Sequence, residues 1–224
     1  MGDTVVVTGA SGGVGAAVVR AFAGQGDTVV AAGYDRDAVE SVAADAGAVA
    51  VRTDVRDEYD VERLMEQASR AGEASGVDVV VPCAAVDHSG GSGPPLGEES
   101  YSGFDDTIRT NVRGVFAAVR EALPHMPADG RVVIPTERVA RDPEPGRGSF
   151  AVSKAAVEGV MGQFSVDCEQ AVGCVDPGEV NTGIHGGGGR KPADVAGLFT
   201  WAASVPGALD GRVLDADDWE DAAE

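Results

Sequence analysis

The sequence predicts an α/β protein, a single-domain doubly wound parallel sheet with helices on both faces. Three observations predict it. Short apolar runs of strand character alternate with segments of helical period along the whole chain. A glycine-rich turn, Thr8-Gly9-Ala10-Ser11-Gly12-Gly13-Val14-Gly15, joins the first such run to the first helical segment. Apolar residues make up 43% of the 224 positions and aromatic residues only 5%. The core is therefore mostly Val, Ala and Leu, which suits a parallel sheet covered by small-residue helices.

Taken in order, Thr4 to Thr8 reads as a buried strand, and the helix after the turn carries Val14, Val18, Val19 and Phe22 on one side. Val29 to Ala32 is the second strand and Asp37 to Ala46 a short helix. Val49 to Arg52 is the third strand, followed by a helix near Glu58 to Ala71. Val77 to Val81 is the fourth strand. Asp87 to Glu99, rich in Gly, Pro and Ser, is a loop. Phe104 to Leu123 is a long helix with Ile108, Val112, Val115, Phe116 and Val119 in register. Arg131 to Ile134 is the fifth strand, Arg138 to Gly148 a charged loop, and Phe150 to Cys168 a helix. Val172 to Val175 is the sixth strand, Gly186 to Gly189 a low-complexity loop, Pro192 to Ser204 a helix and Arg212 to Leu214 a last short strand. All crossovers are expected to be right-handed. The domain is expected to span residues 1–216, with 217–224 an acidic tail that is frayed or solvent-facing.

The net charge is −20, with 37 acidic residues. Only two lysines occur, Lys154 and Lys191, and the other fifteen basic residues are Arg. This acidity argues against nucleic acid or an anionic membrane as partner. It fits a surface adapted to high intracellular salt, where screening suppresses self-repulsion. No stretch is long and apolar enough to span a bilayer, and the chain enters its first strand without a secretory leader. The three cysteines, Cys83, Cys168 and Cys174, lack metal-like spacing. A reduced, cytoplasmic protein with no metal site is expected.

The turn carries the chemistry. Glycines between a strand and a helix let backbone N–H groups approach a phosphate, and the helix end adds its positive dipole. Nucleotide binding along Gly9, Ser11, Gly12, Gly13, Val14 and Gly15 is the first functional reading.

Several further segments fall in one order. They are Asp54-Val55 after the third strand, Thr110-Asn111-Val112-x-Gly114-Val115-Phe116 on the long helix, Lys154-Ala155-Ala156-Val157-Glu158-Gly159, and Asp176-Pro177-Gly178-Glu179-Val180-Asn181-Thr182. Together with the turn they make almost the whole chain resemble the short-chain dehydrogenase/reductase family. The resemblance implies a Rossmann-like fold and an NAD(P)(H) dinucleotide as ligand. It implies an adenine contact at Asp54 and Val55, a catalytic Asn at Asn111 and a ribose-holding Lys154. It also implies nicotinamide contacts at Pro177, Gly178, Val180 and Thr182. A homodimer or homotetramer paired through the Asn111 and Phe150 helices follows from the same resemblance.

Four departures stand beside these matches. The family's Tyr-x-x-x-Lys reads here Phe150-x-x-x-Lys154, and a benzyl side chain has no proton to give. A positioned acid is worth about 10²–10⁴ in rate. The substrate-orienting Ser is replaced by Glu137, with Thr136 one position early and facing the other way if the strand continues. The Asn-Asn-Ala-Gly segment becomes Pro82-Cys83-Ala84-Ala85, which leaves Ala84 and Ala85 beside the nicotinamide ribose. The glycine run soon after Thr182 implies a shortened substrate lid.

Glu137 has two readings. Protonated, it donates to a carbonyl, and ionised it accepts a proton from an alcohol; alternatively it forms a structural ion pair with Lys154 or a nearby Arg. Ser149 and Ser153 are turned away from position 150 by helix geometry. Tyr101 is a replacement acid or a loop anchor. His88 and His185 lie in loops, and His125 ends a helix. Cofactor choice is read from Gly33-Tyr34-Asp35-Arg36. Gly33 carries no carboxylate to repel a 2′-phosphate, Arg36 can attract one, and Asp35 can instead hydrogen-bond a ribose. The balance leans to NADP(H) over NAD(H). The reading is a dinucleotide-binding protein with impaired or lost carbonyl/alcohol chemistry, a sensor or partner subunit with an unknown small-molecule ligand. The alternative is an active oxidoreductase using Glu137 with Lys154 and Asn111.

Overall fold

Seven strands form one parallel sheet in the computed structural model, which describes residues 2–182, 188–205 and 207–222. They are β1 (Thr4–Thr8), β2 (Thr28–Gly33), β3 (Val49–Arg52), β4 (Val79–Pro82), β5 (Arg131–Pro135), β6 (Ala171–Val175) and β7 (Val213–Leu214). Their order is β3-β2-β1-β4-β5-β6-β7. The chain winds outward in one direction from β1 and in the other from β4. The crevice beyond the carboxyl ends of these two neighbours is the topological switch point, where open α/β sheets take their ligands.

Strand alternation explains the two cores. Val5 and Val7 pack on one face with helices α1 (Gly13–Gln25), α2 (Arg36–Ala46) and α7 (Pro192–Ser204). Val6 points to the other face, with α3 (Glu58–Ala68), α5 (Gly114–Ala122) and α6 (Gly148–Asp167). Period-two side chains between two helical layers require apolar residues at every strand position. Each fully buried Val contributes about 1.5–3 kcal/mol.

Helix starts follow local chemistry. The Asp35 carboxylate accepts from Ala38 N–H at 3.1 Å and caps α2, and Asp57 accepts from Tyr59 N–H at 3.0 Å to cap α3. The long helix read from Phe104 begins earlier, in α4 (Tyr101–Thr107), where Ser100 Oγ accepts from Gly103 N–H at 3.1 Å. It is also interrupted. Ile108–Arg113 is a π-helical turn, and α5 continues from it. Apolar period alone predicts one uninterrupted α-helix; the tertiary hydrogen bonds of Asn111 within this turn are invisible to it.

Within the segment expected to be frayed or solvent-facing, the described residues form a short helix, α8 (Ala216–Asp221). Asp215 accepts from Asp217 and Asp218 N–H at 3.0 and 3.2 Å. Trp219 packs on the α1–α2–α7 core over Gly197. An aromatic anchor and a capping box outweigh the acidic composition, while Asp217, Glu220 and Asp221 stay solvent-facing. Among the described residues, no helix is long and apolar enough to cross a membrane.

Candidate dinucleotide site

The turn after β1 is built for close approach. Gly9 has φ +66°, and a Cβ there would lie 2.6 Å from the Ala84 backbone. Thr8 Oγ1 accepts from Ala84 N–H at 3.3 Å and ties the turn to the end of β4. At Gly33 a Cβ would meet Ser11 Oγ at 2.2 Å, so the end of β2 lies close against the turn and a side chain there would require Ser11 to turn aside. Helix α1 starts at Gly12 with neither a side-chain cap nor an acidic residue in its first turn. Its N–H groups open instead on a cavity of about 390 Å³ lined by Gly9, Ser11, Gly12, Gly13, Val14 and Gly15. An uncapped helix start with bare glycine backbone fits a pyrophosphate.

A second cavity, of about 430 Å³, shares Gly9, Ser11 and Ala85 with the first and extends past the ends of β2 and β3. Tyr34, Asp35, Asp54, Val55, Ala84 and Thr110 line it. Asp54 and Arg56 are joined by two hydrogen bonds of 2.9 Å. Arg56 continues to Asp106 at 3.0 Å, and Asp106 pairs with His88 at 2.9 Å. The Arg56 guanidinium holds the Asp54 carboxyl below its ordinary range, against the opposing push of burial. Burial also pushes Asp106 upward, but the bonds to Arg56 and His88 prevail and leave it lowered.

The guanidiniums of Arg52 and Arg56 lie 5.1 and 5.4 Å from the Tyr34 ring centroid. The sequence reading assigns neither arginine to the site. Arg52 comes beside Gly33 only through the β2–β3 register, and residue spacing cannot give strand order. Arg36, the sequence candidate for a phosphate, runs along α2 to Glu40 at 3.5 Å and does not line the cavity.

The other end of the first cavity is walled by Phe150, Lys154, Glu137, Pro177, Gly178, Val180 and Thr182. Phe150 is 2% exposed. Its ring centroid lies 4.9 Å from the Arg147 guanidinium carbon and 5.4 Å from Lys154 Nζ. Lys154 Nζ also donates to Pro135 O at 3.1 Å. Glu137 accepts from Arg147 Nη2 at 3.0 Å, so one of its ion-pair partners is an arginine. Thr136, which also lines this cavity, donates to Glu158 Oε1 at 2.9 Å. Glu158 pairs with Arg141, Arg141 with Asp176, and Asp176 Oδ1 accepts from Gly178 N–H at 3.0 Å. This chain of bonds fixes the turn that carries Pro177 and Gly178.

Asn111 is 2% exposed and does not line the cavity. Its amide accepts from Val86 N–H at 2.8 Å and donates to Val86 O and Ser153 Oγ at 2.9 and 3.0 Å. It thereby pins the segment after β4 to α6. Ser149 donates to Glu99, on the far side of α6 from the cavity lining. Tyr101 is 89% exposed and lines neither cavity. His125 sits in a 3₁₀ turn, and His185 lies outside the described residues, as does the first half of the glycine run read as a shortened lid. Cys83 lines the cavity, but burial pushes its thiol up to about 12, too high for a nucleophile near neutrality.

Comparison with known proteins agrees with this geometry. The family model described as short chain dehydrogenase matches residues 3–191. The short chain dehydrogenase/reductase AacuN of Aspergillus aculeatus is 30% identical over 187 residues, covering 79% of this chain and 69% of that protein. The cyclic-di-GMP-binding biofilm dispersal mediator protein of Escherichia coli is 29% identical over 223 residues, 90% of each chain. The crystal structure of a short chain dehydrogenase from Burkholderia cenocepacia in complex with NADP superposes with a TM-score of 0.84 at 26% identity, covering 96% of both chains.

Proposed function

The chain belongs to the short-chain dehydrogenase/reductase family, and on that premise we propose that it binds NAD(P)(H) across the crevice while its carbonyl–alcohol chemistry is strongly impaired. The adenosine half would lie in the cavity of Tyr34, Asp54 and Val55, the pyrophosphate at Gly12 and Gly13, and the nicotinamide half beside Lys154 and Thr182. The bound nicotinamide would supply or accept hydride. Lys154 would hold ribose hydroxyls with the ammonium that now bonds Pro135 O.

The observation that carries the proposal is the Phe150 ring. It forms part of the cavity wall beside Lys154 and has no hydroxyl to give an alkoxide a proton. Such an acid is worth about 10²–10⁴ in rate. Dinucleotide binding then becomes the principal activity, suited to a redox-state sensor or a partner subunit of an active relative. The biofilm dispersal mediator is a full-length relative named for binding rather than turnover, which supports this reading.

A second reading keeps catalysis. Glu137 lines the same cavity and would exchange the proton there. Its pairing with Arg147 favours the first reading, because the carboxylate then serves as a structural ion-pair partner. The test is fluorescence titration with NADPH and NADH, followed by a turnover screen of carbonyls and alcohols. Binding with negligible turnover supports the first reading. Turnover that Glu137→Gln abolishes supports the second, and binding of neither nucleotide removes both.

Three finer points belong to the proposal. Arg52 and Arg56 near the bare Gly33 favour NADP(H) over NAD(H). The α5–α6 contact of Phe116 with Phe164, ring centroids 5.8 Å apart, leaves Phe116 43% exposed. That apolar surface suits helix pairing in a homodimer or homotetramer. The acidic surface suits a cytoplasm of high salt.

A further inference from the structure

Two further cavities continue the crevice outward from its nicotinamide end. The nearer, of about 370 Å³, shares Glu137, Gly178 and Val180 with the first cavity and is lined mainly by charged groups and glycines. The outer, of about 710 Å³, shares Ser92, Val139 and Glu144 with the nearer one. There the character of the wall changes. Glu144 is the one charged side chain of the described lining, and Arg138 holds it at 3.1 Å. Pro95, Pro143 and Pro145 on two loops, and Ala151, Val152 and Ala155 on α6, supply much of the rest. A proline has no N–H to offer. The outer trough is therefore poor in donors and suits a hydrocarbon better than a polar group.

The trough is open to water yet firmly built. Leu96 and Val152 on its wall are 50% and 38% exposed. Apolar surface left open beside a cleft marks a contact surface. Gly93 N–H donates to Gly146 O at 2.9 Å and ties the two loops together. A Cβ on Gly146, whose φ is +79°, would lie 3.0 Å from Gly93 O, so this approach needs a glycine. Ser149 N–H donates to Glu99 at 2.8 Å and fixes the first loop to α6. An apolar path leads inward from the trough. Val139 lines the outer and the nearer cavity, Val180 lines the nearer and the first, and both are buried. Helix α6 also serves both ends, with Phe150 and Lys154 on the first cavity and Val152 and Ala155 on the trough. One molecule with a polar end and an apolar tail matches this run of surfaces. We propose that the trough binds the aliphatic tail of the site's small-molecule ligand. That ligand is an alcohol or ketone whose oxygen lies beside Lys154 and whose chain runs past Val180 and Val139 to Leu96 and Val152. The proposal rests on the reading that the first cavity holds the nicotinamide end. It concerns binding and holds with or without turnover.

Methyl ketones of increasing length, from butanone through hexanone and octanone to decanone, test it. Each is titrated by ligand-detected NMR into nucleotide-free protein and into protein with NADPH. Full burial of a methylene is worth about fourfold in affinity and half burial about twofold, so each methylene added beyond hexanone is expected to tighten binding by about two- to fourfold. Leu96→Asp and Val152→Asp, both at solvent-exposed positions, are expected to flatten the series. Val166→Asp, at a 74% exposed position of α6 outside the trough, is expected to keep the wild-type slope. A flat wild-type series, a slope that survives both trough substitutions, or one that Val166→Asp abolishes equally overturns the proposal. Sedimentation of the same samples reads the other occupant. A wild-type oligomer that Leu96→Asp dissociates, with a flat ketone series, means that a second copy of the chain covers the trough, and it too overturns the proposal. Direct NADPH titration reads the dinucleotide site separately. If NADPH fails to bind while the slope persists and Leu96→Asp removes it, the dinucleotide reading falls and the tail subsite stands. If NADPH binds and the series is flat, the tail subsite falls and the dinucleotide reading stands. Should one trough variant fail to fold by circular dichroism, the other decides.

Discussion

The two halves of the crevice are made of different things. The half around Gly9, Gly33 and the start of α1 is made of backbone and missing side chains: bare glycines, an uncapped helix end and strands brought into register. The half around Phe150 is made of side chains: a benzene ring under two cations, and a carboxylate paired with one of them. Backbone geometry tolerates few alternatives, because a Cβ at Gly9 collides with Ala84. Side-chain chemistry can change while the scaffold stays. The contrast teaches that a crevice can have one end whose backbone geometry resists substitution and another whose side chains are free to vary on the same scaffold.

The sharpest way to break this contrast is to place a hydroxyl on the ring at position 150. Phe150→Tyr is expected to raise turnover on carbonyl substrates by about 10²–10⁴, the worth of a positioned acid. The check is NADPH oxidation by absorbance, and an unchanged rate would mean that the scaffold around Lys154 is also altered. Next in size is Gly9→Ala. The left-handed φ costs about 1–2 kcal/mol, and overlap with Ala84 costs about 1–3 kcal/mol more. Thermal unfolding should fall by several degrees, about 2–4 °C per kcal/mol in a chain of this size, and NADPH titration should lose saturation.

The acidic end of the pH scale sharpens the adenosine half. Asp54 and Asp106 are held below their ordinary value near 3.8. A lowered carboxylate adds stability that is present above the unfolded pKa and is lost as pH falls through the folded one. Arg56→Gln removes the shared partner. Urea unfolding should show a clear loss for this variant at pH 6, and a smaller difference from wild type at pH 3. A difference that did not shrink would place the effect of Arg56 in packing.

The smallest effect separates two roles of Asp35. Asp35→Ala should cost about 1 kcal/mol through the lost α2 cap. Asp35→Ser should restore the cap without the charge. A shift in the NADPH-to-NADH affinity ratio that persists in the Ser variant belongs to the carboxylate.

Sheet, helices and nucleotide turn were legible in the sequence because each rests on local period or local glycine chemistry. Pro192–Ser204 emerges with the bounds read from sequence, since Pro at its start and apolar spacing along it agree. The π-helical turn at Ile108–Arg113 was not legible, because its partners lie 25 and 42 residues from Asn111 in sequence. Trp219 likewise gives no sign, within an acidic run, that it closes a helix onto α7. At the site, Phe150, Glu137 and Lys154 could be placed together through the family resemblance. Arg147 could not, because it lies in a charged loop with no period, and only the folded chain sets it over the ring.

The scarcity of amines has a practical corollary. Lys154 is 7% exposed inside the crevice wall, whereas Lys191 is exposed at the start of α7. An acylating reagent thus meets one side-chain amine that is always open and one whose accessibility depends on what fills the cleft. Their labelling ratio, read from a single digest by mass spectrometry, is an occupancy gauge with its own internal standard.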